Sequence, residues 1–121
     1  MRYESVVEIR SEKRPEVTFV VARASFGRRL ELARQIRELA MRSEFLAASK
    51  DAADQMESRL IRGEMERVYL RHGLREVRGL EIDGSPATPE SLVESGPEEL
   101  AAEAVRLVGR EYGVTDEERK N

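Results

Sequence analysis

The chain has 121 residues with a formal net charge of −3; 40% are hydrophobic, 37% are charged, and there is no cysteine, no tryptophan and one histidine. That is enough apolar content for one modest core and too much for a disordered chain. It excludes a disulfide framework, a thiolate metal site and a cysteine nucleophile, and no apolar run approaches the roughly 20 residues that span a bilayer as a helix.

Ser5-Val6-Val7-Glu8-Ile9-Arg10 reads as a strand by its β-branched content, and Glu16 through Arg23 reads as a stronger one. The polar stretch between them, Ser11-Glu12-Lys13-Arg14-Pro15, predicts a hairpin. A lone hairpin is marginal in water, so it must pack on helices or find another partner. Ser25 is the expected N-cap of a long helix through about Ala48. Leu32, Ile36 and Leu39 set its stripe, and Phe26, Leu30, Ala33, Ala40 and Leu46 widen it. Arg28, Arg29, Arg34, Arg37 and Arg42 take much of the remaining surface. After the break at Ser49-Lys50-Asp51, Asp51 caps a second helix through about His72, with Met56, Leu60, Ile61, Met65, Val68 and Tyr69 as its stripe. Gly73 is the expected C-terminal stop. The short connector makes the two helices antiparallel. Met41, Met56 and Met65 are expected to fill the core. Gly63 costs the second helix about 1 kcal/mol against Ala; it either admits another helix or is simply tolerated.

The densest backbone instructions lie between Gly79 and Leu100. Leu74 to Ile82 contains a short strand, and Asp83-Gly84 marks a tight turn. Thr88-Pro89-Glu90 starts a small helix to Ser95: the Thr oxygen caps, Pro suits the first position and Glu faces the positive dipole end. Gly96-Pro97-Glu98-Glu99 stops that helix and opens the last substantial one, from Pro97 to about Tyr112. Its apolar face is Leu100, Ala104, Val105, Leu107, Val108 and Tyr112. Gly113 ends it, and Thr115-Asp116-Glu117-Glu118 has the form of a further capping box. The expectation is one α+β domain over residues 1–121, mostly helical. A β-hairpin (1–24) packs on a small bundle made of a helical hairpin (25–73) and a short strand and turn with C-terminal helices (74–121). Charge divides unevenly: residues 1–78 hold 17 Lys/Arg against 13 Asp/Glu, whereas residues 79–121 hold 4 against 11. The two halves are therefore able to attract each other, within or between protomers.

Four segments occur in order: Ser25-Phe26-Gly27-Arg28-Arg29-Leu30-Glu31-Leu32, Val68-Tyr69-Leu70-Arg71-His72-Gly73-Leu74, Gly79 to Leu100, and Glu117-Glu118-Arg119-Lys120-Asn121. Together they resemble the tail assembly chaperones encoded among the tail genes of long-tailed phages and prophages. The resemblance implies a small, largely helical, non-enzymatic protein that binds the tape measure protein and keeps it soluble. It also implies that tail tube protein displaces the chaperone as the tube polymerises. It carries over no site residues. A homo-oligomer in the host cytoplasm is expected, because a small core with a partner-poor hairpin is helped by self-association. The N-terminus, Met1-Arg2-Tyr3-Glu4, also runs into alternating residues rather than a signal-peptide core.

No residue is assigned to catalysis, to a cofactor or to a metal. His72 lacks the second His or Cys that a metal pattern needs, and its place near a helix end suits the dipole. The pairs Glu98-Glu99 and Glu117-Glu118 point about 100° apart on a helix and do not converge. The arginine-rich first helix admits an alternative function, a small nucleic-acid-binding regulator. Yet Glu31, Glu38 and Glu44 interrupt its basic cluster, and aromatics for base stacking are few. A structural tail-completion protein is a further alternative. The expected self-association surface is the exposed remainder of the first two helices plus an unpaired strand edge, including Phe19, Phe45 and Tyr69.

Overall fold

The computed structural model describes residues 1–113. In chain order its elements are β1 (Val6–Arg10), β2 (Thr18–Ala22), α1 (Phe26–Ala47), α2 (Ala52–Gly73), β3 (Leu74–Arg78), β4 (Glu81–Ile82), β5 (Ser85–Pro86), α3 (Pro89–Ser95) and α4 (Glu98–Glu111). They form a mostly helical α+β domain, with a three-stranded antiparallel sheet against the helices. The Thr115 capping box lies outside the described residues.

The hairpin finds its partner in the chain itself. The sheet order is β1-β2-β3, so β2 is central. Phe19 pairs with Ile9 on one side and Val77 on the other, and a bulge between Val20 and Val21 shifts the register against β3. The strand edge expected to lie open beside Phe19 is therefore closed by β3. At the end of β3, Gly79 has φ +79°, and a Cβ there would sit 1.9 Å from the Glu16 carbonyl oxygen. Only glycine lets the chain pass the β1–β2 loop this closely. Asp83 (φ 51°) and Gly84 (φ 81°) then make the two-residue turn of the β4–β5 ribbon, the left-handed pair a tight hairpin prefers.

The helix starts follow local chemistry. The Ser25 hydroxyl accepts from the Arg28 amide (3.2 Å) and the Asp51 carboxylate from the Ala53 amide (2.9 Å). Thr88 and Ser91 cap each other: the Thr88 hydroxyl accepts from the Ser91 amide (3.1 Å), and the Ser91 hydroxyl accepts from the Thr88 amide (2.9 Å). Gly73 departs from expectation. It is the last residue of α2 and has no left-handed conformation. What it provides is room: a Cβ would lie 2.4 Å from Val108 Cγ1, so its hydrogen lets α4 press against the end of α2.

The core gathers Val17, Phe19 and Val21 from the sheet side, Val68, Tyr69 and Leu70 from α2, Leu92 from α3, and Leu100, Ala104, Val105 and Val108 from α4. One buried charge sits among these layers. Glu103 of α4 is 5% exposed. Its carboxylate accepts from the Ser11 hydroxyl (2.6 Å) and from the Glu12 amide (2.8 Å). The Ser11 hydroxyl in turn accepts from the amides of Lys13 (3.1 Å) and Arg14 (2.9 Å). A carboxylate so supplied with donors is tolerable in a low-dielectric interior, and it fastens the β1–β2 loop to α4.

Candidate interaction surface

α1 and α2 each span 22 residues, about 33 Å at 1.5 Å per residue. They lie antiparallel, but only their inner halves meet the body. There Leu32 is buried, Ile36 and Leu39 pack partly against the core, and Met65, Val68 and Tyr69 are buried. Two arginines of the first turn of α1 fix it in place. Arg28 donates to the His72 carbonyl at the end of α2 (3.4 Å), and Arg29 donates to the Tyr112 carbonyl at the end of α4. Cations at helix C-termini satisfy free carbonyls and suit the dipole. The Tyr112 ring is buried. Burial pushes its phenol above the usual range, and the positive charge of Arg28 works against that shift.

The outer halves form an arm. Its buried α1–α2 seam includes a polar pair: Ser43 and Ser58 are 3% and 2% exposed. Their hydroxyls lie 2.8 Å apart, and the Ser58 hydroxyl lies 2.9 Å from the Ser43 carbonyl oxygen. Small residues let the helices approach closely and their polar atoms are satisfied, but they bury little apolar area. Ile61, one turn from Ser58, is buried with them and Leu46 is half-buried, but four other large apolar side chains of the arm point away from the seam. Met41, Phe45, Met56 and Leu60 are 58–80% exposed, and nearer the body Phe26 and Leu30 are exposed as well. A shallow groove at the tip is lined by Met41, Arg42, Phe45, Leu46 and Glu57.

This arrangement divides the residues expected at a surface. Phe45, 80% exposed, lies on the arm. Phe19 and Tyr69, at 0% and 2%, lie in the core and belong to no surface of this chain. Phe19 was expected on an open edge, but β3 places it at the centre of the sheet. Tyr69 packs in the inner seam beside Leu32 and Tyr112. Of the methionines expected inside, Met65 is buried and Met41 and Met56 are not. A single wide stripe on α1 conceals two faces: Leu32, Ile36 and Leu39 turn inward, while Phe26 and Leu30 turn outward. Helical spacing read against the seam residues separates these faces, because 100° per residue puts Leu30 and Leu32 on opposite sides.

Among the remaining charged groups, Arg34 pairs with Glu31 (2.6 Å), and hydrogen bonds from Arg34 and Gln35 hold the Glu31 carboxyl below the usual range. Among the described residues no cluster of His, Asp or Glu is arranged to hold a metal ion, and no helix is long and apolar enough to cross a membrane. Comparison of the chain with models of known protein families, with curated proteins and with solved structures finds no match.

Proposed function

We propose that this chain is a non-enzymatic tail assembly chaperone of a long-tailed phage or prophage, acting in the host cytoplasm on the tape measure protein until tail tube protein displaces it. The observation that carries this reading is the arm. A helical hairpin with Met41, Phe45, Met56 and Leu60 turned to solvent on its outer half, and Phe26 and Leu30 exposed nearer the body, suits a helical client, which docks by laying an apolar stripe along such a surface. The four ordered segments that resemble this family support the choice of client. The Gly79 to Leu100 segment forms a scaffold of turn and capped helix beneath the arm, whereas the apolar arm residues supply the contact.

Co-expression with the neighbouring tape measure protein tests the proposal. The client is expected to co-purify with the chain and to gain solubility. Phe45→Glu with Met41→Glu should abolish both effects. A client that neither co-purifies nor becomes more soluble with the parent chain refutes the proposal. Mass spectrometry of purified particles separates a chaperone from a structural tail component, since a chaperone is missing from mature tails.

A further inference from the structure

We infer that one helix of the client lies along α2 and seats a large apolar residue over Gly63, in the cleft between α2 and α4. That placement rests on the client reading above and goes further, naming the track and the chemistry of the helix that fits it.

The track is set by spacing along α2. Met56, Leu60, Gly63, Arg67 and Leu70 follow one another at four, three, four and three residues. At 100° per residue they fall within an arc of about 80°. Met56 and Leu60 are exposed, and Leu70 is buried. A mean step of 3.5 residues is the seam along which one helix packs on another at a shallow crossing angle. From Met56 to Leu70 the track runs about 21 Å, four turns of a partner helix.

Where the arm meets the body, the track enters a cleft of about 250 Å³. Gly63, Glu66 and Leu70 line it from α2, Ala101, Ala102 and Val105 from α4, and Val93 from α3. An apolar cavity of about 150 Å³ holds a benzene ring, so the cleft has room for the side chain of a leucine, methionine or phenylalanine.

Gly63 has no task within the chain. Its φ is not positive, and an added Cβ would meet nothing within 4 Å. In mid-helix it costs about 1 kcal/mol against alanine. Gly73 and Gly79 are required by Val108 and by the Glu16 carbonyl oxygen, both inside the chain. The space over Gly63 serves a neighbour from outside it, whose backbone approaches α2 most closely where α2 has no side chain.

Charge states which helix fits. Arg67 is turned to Glu94 of α3 (3.8 Å). Glu66 on one wall and Glu98 on the other are exposed and form no ion pair among the described residues. Carboxylates on both sides of an apolar slot select a partner whose bulky apolar residue is flanked by Lys or Arg. Met41 and Phe45, on α1, are left to another stretch of the same client.

Gly63→Leu fills the slot and tests the placement. The position is open, so the variant should keep the parent's circular dichroism spectrum and lose no stability in urea. Its affinity for tape measure protein should fall roughly tenfold or more, because the filled slot excludes the seated residue. Added salt should weaken capture by the parent more than capture by Glu66→Gln with Glu98→Gln. In the complex, hydrogen exchange should slow across residues 60–71 and 98–105. Undiminished capture by Gly63→Leu overturns the inference and leaves the chaperone reading standing. Equal salt dependence, or exchange in that region unchanged from the free chain, does the same. A parent that captures no client removes both. Sedimentation of the chain alone checks the occupant: a mass that falls on Gly63→Leu places a second copy in the cleft and overturns its assignment to the client.

Discussion

Two glycines of α2, ten residues apart, should respond to alanine in opposite directions. At Gly63 an added methyl meets nothing within 4 Å. Alanine there gains the helix-propensity difference of about 1 kcal/mol with no packing cost. At Gly73 the methyl would sit 2.4 Å and 2.8 Å from the two γ-carbons of Val108, a side chain 0% exposed. Carbon atoms in contact prefer about 3.5–4.0 Å, so the overlap exceeds 1 Å. Val108 is enclosed by the core and has nowhere to go. Overpacking of this kind costs about 1–3 kcal/mol. Part of the propensity gain offsets that, which leaves Gly73→Ala roughly 1–2 kcal/mol less stable than the parent. Urea unfolding followed by circular dichroism measures both, at equal protein concentration so that self-association does not enter the comparison. Stabilisation by Gly73→Ala would show that α4 does not seat against the end of α2 as described. Marked destabilisation by Gly63→Ala would show that another backbone lies against this position in solution.

Glu103→Ala should cost about 2–4 kcal/mol, because it strands the buried Ser11 hydroxyl and the Glu12 amide; hydrogen exchange should rise at residues 11–14 while the arm is unaffected, and uniform protection would refute the tie. Tyr112 should shape the alkaline limb of stability. Its phenol is held above its usual value of 10.0 in the folded state, so the unfolded chain releases this proton first. Stability then falls as pH rises beyond about 10, and Tyr112→Phe should lose less stability than the parent over that range; parallel curves would refute the assignment.

Local chemistry made the helices legible. Ser25, Asp51 and Thr88-Pro89 mark starts through bonds that span two or three residues, and a sequence window contains the whole cause. The same holds for the Asp83-Gly84 turn. β3 was harder to read, because Leu74-Arg75-Glu76-Val77-Arg78 has little β-branched content and becomes a strand by pairing with β2. That pairing moved Phe19 from an expected edge to the sheet centre. The surface was legible only in part. Phe45 reads as surface from the sequence, whereas Met41 and Met56 read as core, because an apolar stripe read by spacing alone does not say which side is covered. The seam that decides it buries Ile61 beside two serines, Ser43 and Ser58, residue types usually read as surface or cap. The Glu103 tie had no local signal, since its partner is 92 positions away.

That tie bears on the order in which the chain acquires its structure. The α1–α2 hairpin is local and forms on the timescale of neighbouring helices meeting, whereas non-local strand pairing and loop fixation are slower. β2 gains its second neighbour only when β3 has been synthesised, and the loop at Ser11 is pinned only after Glu103 has emerged. During translation the residues of the arm, apolar flanks included, are therefore all made before β3 and Glu103, which complete the sheet and pin its loop.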